Sequence, residues 1–457
     1  MRRTISLLAT TALTLLVASA VALATAIGSA GADSSVVGPG ESIQKAINAA
    51  DPGDTIVVRG VHREDVIITK NGIKLRGEDA VIEAPARAGS PCSKFSGLEA
   101  ICVLGDFNPE NGEITGPRVR DVSISGFTFR GFEDKGAFAV IDFYATRNAT
   151  VVGNRITGNV AIGIAFGGSV NTTIANNRVI GGPETEAEGI LVDSDSRNTK
   201  IMNNVVRGYA SGGIEVDGTT NTTIAGNDTI GNSFAGIGVI ESTDTKIVSN
   251  DITDGTFIGI VVFDSPDTKI LSNVVRRNEA DGIFLGGPKS QDAKVLGNDI
   301  SGNAFGIYVG DAKQGSIAGN QVHDNCAGMF FESDVDEWPS DFEITGNTVT
   351  DNTRSCRAAQ FDRNVSGIGI ALLGARDMEV KGNNVSGNVP SGPTRISGGV
   401  VVAVTPYFED EPKPKNNTVT GNNFGRNKPD IYWDGTGTGN VLRPNNCDTS
   451  VPSRLCN

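Results

Sequence analysis

The feature that most constrains the fold of this 457-residue chain is a short phrase that recurs along most of the sequence. The phrase consists of an isoleucine or valine, two variable residues, an asparagine, and a hydrophobic residue two positions after the asparagine. It recurs every 22 to 27 residues at Asn177, Asn204, Asn227, Asn250, Asn273, Asn298, Asn320 and Asn347, and appears again at Asn154, Asn383 and Asn422. A nearly constant period of this length indicates a chain built from stacked structural repeats.

Each period predicts one coil of a solenoid. It contains three strand-like pieces of three to five residues, in which apolar and polar positions alternate, and no piece long enough for a helix. Stacked coils would pair each strand with the same strand of the next coil, about 4.8 Å away. The sequence therefore predicts an all-β solenoid with three parallel sheets around a narrow core of isoleucine and valine.

The recurring asparagine has a structural explanation in such a solenoid. We expect it to lie at a sharp corner in the left-handed conformation, with its amide bonded to the backbone and to the asparagine of the next coil. The resulting ladder would satisfy polar groups that are otherwise buried without partners. A second asparagine often follows five residues later, and then a glycine and a short strand, as in Gly189-Ile190-Leu191-Val192.

These residues resemble the right-handed parallel β-helix, the fold of pectate-lyase-like proteins, from about Val36 to Asn446. The resemblance implies a single domain over residues 33–457, with coils at about 54–442 and a C-terminal tail at 443–457. It also implies an amphipathic helix at about 41–50 that caps the first coil, followed by the strand Asp54-Thr55-Ile56-Val57-Val58. The layout is similar to that of exported β-helix proteins of actinobacteria.

The first 32 residues predict export. Arg2 and Arg3 precede an uncharged apolar run from Ile5 to Ile27, and Ala30-Gly31-Ala32 supplies a cleavage signal. We therefore interpret residues 1–32 as a signal peptide and expect a secreted protein, free or associated with the cell surface, that has no membrane span after cleavage. An uncleaved membrane anchor is the alternative, because the apolar run is longer than that of most signal peptides.

The six cysteines fall into three pairs that are close in sequence. An even number in an exported chain suggests three disulfides, although six cysteines allow 15 connectivities. Zinc binding and free thiols are the alternatives, but there is no C-x-x-C motif and no adjacent histidine. The predicted pairs are Cys92 with Cys102, Cys326 with Cys356, and Cys447 with Cys456.

The strand register places three carboxylates on one outward face. Asp193 and Asp217 fall in the same column on adjacent coils, about 5 Å apart, and Glu215 lies on that face some 7 Å along the strand. Asp193 and Asp217 could bind a hard cation such as Ca²⁺, and all three carboxylates are candidate catalytic acids and bases. A solvated acidic face without either role is the alternative.

Aromatic residues occupy the same outward columns on later coils. Phe284, Tyr308 and Phe330 continue the column of Glu215, and Phe263 lies in the neighbouring column. An insertion that leaves the end of this face carries Trp338. Because sugar rings present apolar faces, we predict that these five aromatic residues bind a saccharide chain along the helix. Alternatively, the insertions or another subunit cover the rings.

These features predict a secreted protein that binds an extracellular polysaccharide, with cleavage or modification of that polysaccharide left open. If it is an enzyme, it would be a polysaccharide lyase or a glycoside hydrolase-like protein. The signatures N-T-D, D-D, G-H-G and R-x-P-x-x-R of catalytic relatives are absent, so the resemblance in fold does not carry their reactions over. A non-catalytic structural or adhesive protein is the alternative. The net charge of −14 disfavours nucleic acid as a partner.

Overall fold

The computed structural model describes residues 33–86, 99–132, 138–159, 161–182, 187–333, 338–358, 363–404 and 412–456. In these residues the regular structure consists of one helix and of strands that coil repeatedly around a common axis, and the strands of the two large sheets pair in parallel with their counterparts one coil away. The predicted right-handed parallel β-helix is therefore confirmed. The export segment, residues 1–32, lies outside the described residues. Within the described residues, no helix is long and apolar enough to span a membrane.

One parallel sheet of 15 strands forms a complete face of the solenoid. We call it the front sheet. Its strands are Val66–Ile68, Ile101–Leu104, Ala139–Tyr144, Ile162–Gly167, Glu188–Asp193, Gly212–Asp217, Ala235–Ile240, Ile258–Phe263, Asp281–Gly286, Phe305–Val309, Ala327–Glu332, Ile368–Leu373, Gly398–Ala403, Ile431–Trp433 and Ser450–Val451.

The other two faces belong to one sheet of 26 strands. They are joined because Ser123–Arg130 runs through the corner between them and pairs with both Thr150–Val152 and Arg155–Asn159 of the next coil. Its strands are Ser34–Val37, Thr55–His62, Lys74–Glu83, Ser123–Arg130, Thr150–Val152, Arg155–Asn159, Thr173–Ala175, Arg178–Gly181, Lys200–Met202, Val205–Arg207, Thr223–Ala225, Asp228–Ile230, Lys246–Val248, Asp251–Thr253, Lys269–Leu271, Val274–Arg276, Gln291–Leu296, Asp299–Ser301, Lys313–Ala318, Gln321–His323, Ser340–Thr345, Thr348–Thr350, Glu379–Lys381, Asn384–Ser386, Thr418–Thr420 and Asn423–Gly425. Two further strand pairs lie outside these sheets: Val119–Arg120 with Thr146–Arg147, and Cys356–Ala358 with Arg363–Val365.

The recurring asparagines form the predicted ladder. The Oδ1 of Asn250 accepts hydrogen bonds from the backbone N–H and the Nδ2 of Asn227, at 2.8 and 2.9 Å. Its Nδ2 donates to the carbonyl oxygen of Ile224 and to Oδ1 of Asn273, at 3.0 and 2.9 Å. The same pattern repeats from coil to coil, so the corner of the solenoid buries many polar groups and leaves their hydrogen bonds made.

The prediction that these asparagines adopt the left-handed conformation is wrong, because the residue before each of them adopts it instead. The left-handed residue at each corner is the one that precedes the ladder asparagine, for example Asn203, Gly226, Ser249 and Ser272, with φ between 54° and 64°. The inward amide is therefore held by an ordinary backbone, and the preceding exposed residue makes the turn. Asparagine, serine and glycine suit that position because they tolerate positive φ better than β-branched residues do.

Both ends of the described solenoid are closed. The N-terminal end carries the predicted capping helix, at Ile43–Ala49, and Ile43 and Ile47 are buried against the first coil. Its N-cap Ser42 accepts a hydrogen bond from the backbone N–H of Lys45. At the other end, the second asparagines of the repeats form a ladder of their own, in which Nδ2 of Asn388 donates to Oδ1 of Asn427 at 2.9 Å. This ladder stops at Asp430, whose Oδ1 accepts a hydrogen bond from Nδ2 of Asn427 at 2.9 Å.

Two of the predicted disulfides are present. Cys326 bonds Cys356 between neighbouring coils, and Cys447 bonds Cys456 in the C-terminal tail. Cys102 also forms a disulfide, and Cys92, its predicted partner, lies outside the described residues. No cysteine in the described part of the chain is free.

Candidate functional site

The front sheet brings the three predicted carboxylates together. Leu191 pairs with Glu215, and Val192 pairs with Val216, so Asp193 and Asp217 follow as neighbours on adjacent coils. Glu215 lies two residues before Asp217 on the same strand, about 7 Å away between Cα atoms. The outward alternation of the strand places all three carboxylates on one face, as the sequence predicts. Their catalytic role stays a prediction.

Two further carboxylates, which the sequence interpretation missed, join this face. Asp142 pairs with Ala165, which pairs with Leu191, so it lies in the column of Glu215. Glu188 pairs with Gly212 at the edge of the same two coils. We call Asp142, Glu188, Asp193, Glu215 and Asp217 the acidic site. Glu188 directly precedes the glycine of its repeat and was detectable from the sequence, whereas the strand of Asp142 lacks the repeat's glycine.

The carboxyl groups of the acidic site hold protons unusually well. Burial, and then the negative charges of Glu188, Asp217 and Asp193, raise the pKa of Glu215 to about 7. Burial and the charge of Asp193 raise the pKa of Asp142 to about 7 as well. Burial is also the main cause of the raised pKa values of Glu188, Asp193 and Asp217. The charged groups that act on the acidic site are all carboxylates, so they restrain one another's ionisation.

The raised pKa of Asp142 makes the stability of the fold depend on pH. The folded protein binds this proton more tightly than the unfolded chain, so stability falls as the pH rises from about 4 to about 7. We expect Asp142→Asn to raise the free energy of unfolding by about 1–3 kcal/mol at about pH 8, and by almost nothing at about pH 4. Urea denaturation at the two pH values measures the difference. The exposed Asp228→Asn is the control, and an equal gain at both pH values would contradict the explanation.

Glycines at outward positions make room for the side chains of Tyr144, Asp193 and Glu215. Gly167 lies between Tyr144 and Asp193 in one outward column. A Cβ atom at Gly167 would come within 2.6 Å of the Tyr144 ring and 3.0 Å of Oδ1 of Asp193. Gly238 continues the column of Glu215, and Cγ and Oε2 of Glu215 lie 3.5 Å from the position that a Cβ atom of Gly238 would take. The Tyr144 ring and the Glu215 side chain therefore cover the strands at these two glycines.

The predicted aromatic column exists, but most of it is covered. The ring of Tyr308 stacks between those of Phe284 and Phe330, with centroids 5.7 and 5.8 Å apart. However, Tyr308 is 6% exposed and Phe330 is fully buried, in a cluster that includes Val365 of the strand Arg363–Val365. The hydroxyl of Tyr308 also donates to Oε2 of Glu332 at 2.8 Å. The prediction of an open platform is therefore wrong for Tyr308 and Phe330, because the insertion tied down by the Cys326–Cys356 disulfide folds over them.

A shorter apolar surface remains open next to the acidic site. The side chain of Phe263 is 42% exposed, and Phe284 is half-buried. At the other edge of the sheet, Phe234 is 49% exposed and stacks on Phe257, with ring centroids 5.9 Å apart. We call these four residues the phenylalanine patch. The sequence prediction missed Phe234 and Phe257 because they lie in the turns before the strands.

Trp338 makes a different contact from the one expected. Its ring lies 3.5 Å from the guanidinium carbon of Arg376 and 5.8 Å from Nζ of Lys313, and the ring is half-buried. This arrangement is a cation–π stack. The arginine therefore occupies a ring face that was expected to bind sugar.

Calcium binding by Asp193 and Asp217 stays a prediction. Among the described residues, no group of three or more histidine, cysteine, aspartate or glutamate side chains is arranged to hold a metal ion.

Comparison with known proteins identifies the architecture. A family model described as right handed beta helix region matches residues 54–252, 188–337 and 235–424. No curated protein matches the sequence significantly.

Solved structures resemble the chain at low sequence identity. The A-module of a mannuronan C-5 epimerase from Azotobacter vinelandii is 17% identical, with 88% of this chain and 93% of that chain covered and a TM-score of 0.45. DFA-IIIase from Arthrobacter chlorophenolicus is 14% identical, with 68% and 88% covered and a TM-score of 0.46. PfbA, a surface adhesin of Streptococcus pneumoniae, is 16% identical, with 88% and 87% covered and a TM-score of 0.43. Likeness at this level concerns the fold alone.

Proposed function

The chain belongs to the right-handed β-helix family, whose fold serves many activities, so we infer its function from the acidic site. We propose that the protein binds an extracellular polysaccharide along the front sheet and that Glu215 exchanges a proton with this polysaccharide. The observation that carries the proposal is a half-buried carboxyl group with a pKa of about 7, surrounded by other carboxylates on the outward face of the front sheet. Perturbed acids of this kind concentrate at catalytic sites. The disulfides support an extracellular setting.

Glycoside hydrolysis is the reaction that suits this arrangement best. At neutral pH a large fraction of Glu215 is protonated, so it can donate its proton to the glycosidic oxygen as the carbon–oxygen bond breaks. A neighbouring carboxylate, Asp193 or Asp217, takes the proton of the water molecule that adds to the anomeric carbon. Water is consumed and no oxidant is needed. The paired roles require one protonated and one ionised carboxyl group, and the mutual repulsion within the acidic site supplies that difference.

The charge of the acidic site favours a neutral polysaccharide. Each charged group that shifts the pKa values of its five carboxyl groups is itself a carboxylate. A polyuronate would add negative charge to that environment and raise the cost of binding. A chain of uncharged sugars avoids this repulsion, and the phenylalanine patch offers apolar ring faces to it in the neighbouring coils.

A non-catalytic structural or adhesive role is the alternative function. The burial of Tyr308 and Phe330 favours it, because covered rings cannot line a long glycan cleft. In that case the repeat would serve as a rigid rod whose surface binds a cell-envelope component, and the raised pKa values would be a by-product of crowded carboxylates.

A polysaccharide panel separates the two functions. The purified protein is incubated with neutral and uronate polysaccharides, and reducing ends and unsaturated products are measured. We expect new reducing ends from a neutral polysaccharide and no unsaturated product. Retention of a glycan on an array without any product would support the adhesive alternative. The saccharide proposal is ruled out if no polysaccharide is retained and none yields a product.

A further inference from the structure

A cavity of about 580 Å³ lies on the front sheet, towards the N-terminal end from the acidic site. Leu104 on its floor pairs with Tyr144, which pairs with Gly167, which pairs with Asp193. The cavity and the acidic site therefore share one column, and three coil spacings, about 14 Å, separate Leu104 from Asp193. A chain that runs along the solenoid axis and passes over the loop between them would meet both.

The loop formed by residues 105–118 separates the cavity from the acidic site and is anchored to both. The ring of Phe107, which lines the cavity, packs against Tyr144 with centroids 4.6 Å apart. The hydroxyl of Tyr144 donates to the carbonyl oxygen of Gly112 at 2.6 Å, and Nε of Arg118 donates to that of Gly168 at 3.1 Å. Burial, and then the charge of Asp193, raise the pKa of the Tyr144 hydroxyl, which agrees with its position between the loop and the acidic site. The loop therefore forms a fixed wall between the cavity and the acidic site, and a chain that reaches from one to the other passes over it.

The lining of the cavity combines apolar surface with hydrogen-bonding groups. Its walls include the side chains of Ile67, Leu104, Phe107, Thr69, Asp106 and Arg118. Its volume is within the range of about 300–1,000 Å³ that is typical of small-molecule sites. One carboxylate and one guanidinium give the lining no net charge, so it favours an uncharged ligand that is rich in hydroxyl groups.

We propose that this cavity is a second saccharide-binding subsite, which holds a neutral oligosaccharide segment of a chain that passes over the loop 105–118 and continues onto the acidic site. The inference rests on the proposed function, because the shared column explains the cavity only if a glycan lies along the front sheet. Apolar contact comes from Leu104 and Phe107, and Asp106 and Arg118 supply an acceptor and donors for sugar hydroxyls.

Hydrogen exchange measured by mass spectrometry locates the bound sugar. The full chain is exposed to maltotriose, cellotriose or N-acetylated chitotriose, each in turn. We expect at least one of them to slow amide exchange in residues 69–72 and 105–119 by about twofold when its concentration equals its Kd. Thr69→Trp, which fills the cavity from an exposed position, should abolish this protection. The matched control Thr348→Trp, an exposed threonine on the 26-stranded sheet, should leave it unchanged.

The outcomes distinguish the subsite from the proposed function. Asp106→Ala provides a second test if Thr69→Trp does not fold, because the backbone hydrogen bonds of Asp106 to Thr115 and Pro117 do not involve its side chain. Protection by none of the three trisaccharides, or protection confined to residues 188–217, overturns the subsite. Protection of the cavity in a protein that releases no reducing ends supports the subsite and overturns only the catalytic part of the proposed function.

Discussion

Replacing Asn383 by alanine should lower the free energy of unfolding by about 3–6 kcal/mol, because it leaves several buried polar groups without partners. Asn383 is 1% exposed. Its Oδ1 accepts hydrogen bonds from the backbone N–H and Nδ2 of Asn347, both at 2.9 Å. Its Nδ2 donates to the carbonyl oxygen of Ile344 at 2.8 Å and to Oδ1 of Asn422 at 2.9 Å. Alanine removes all four hydrogen bonds, and because the site is buried, water does not replace them.

The next residue in the chain provides the matched control. Asn384 is exposed, and its Oδ1 accepts one hydrogen bond, from Nδ2 of Asn423 at 3.3 Å. Asn384→Ala makes the same chemical change one position away and should cost less than about 1 kcal/mol. Urea denaturation compares the two variants, and hydrogen exchange shows whether the loss is confined to the coils around residue 383, as expected for a solenoid whose coils contact only their neighbours. Equal costs for the two substitutions would contradict the structural role of the ladder.

The ladder also shows why the fold was predictable from the sequence. Each asparagine contacts the equivalent asparagine of the next coil, so the period of the phrase sets the length of a coil directly. The strands between the asparagines then align without further information, which placed Glu215 beside Leu191 and Asp193 beside Asp217. The conformation of the corner was harder to predict. The inward amide and the left-handed turn occur on adjacent residues, and the repeat does not show which of them has positive φ.

The parts of the candidate site that were mispredicted lie outside the repeat. Asp142 is on a strand without the glycine of the phrase, so its column could not be assigned. The burial of Tyr308 and Phe330 depends on the strands Cys356–Ala358 and Arg363–Val365, which belong to an insertion. Register within a coil follows from local pattern, whereas the position of an insertion follows from packing that has no period. The sequence therefore predicts which side chains share a column and leaves open which of them solvent can reach.

The surface that the front sheet presents therefore differs from one group of coils to the next. Its first described coils carry the cavity, the next coils carry the acidic site, and the following coils carry the phenylalanine patch before the covered rings begin. Strands in consecutive coils are about 4.8 Å apart, so these surfaces follow one another within the span of a short oligosaccharide. The covered rings mark where a chain lying along the sheet would have to leave it.

Replacing Glu215 by glutamine should lower kcat for the polysaccharide by about 10²–10⁴-fold, because glutamine has the shape of protonated glutamic acid but cannot donate its proton to the leaving oxygen. KM should change little. The pH dependence gives an independent test. The pKa of Glu215 is raised to about 7, so the proton-donating form is lost, and wild-type activity declines, as the pH rises through about 7.

Two controls separate this effect from loss of structure. Glu343→Gln removes one negative charge from an exposed position on the 26-stranded sheet and should leave kcat unchanged. Glu215→Gln should be at least as stable as the wild type above about pH 7, because it removes a carboxylate whose ionisation the fold disfavours. An inactive Glu215→Gln variant of undiminished stability would place Glu215 in the reaction. Full activity of that variant would remove Glu215 as the proton donor and leave the acidic site with a role in binding alone.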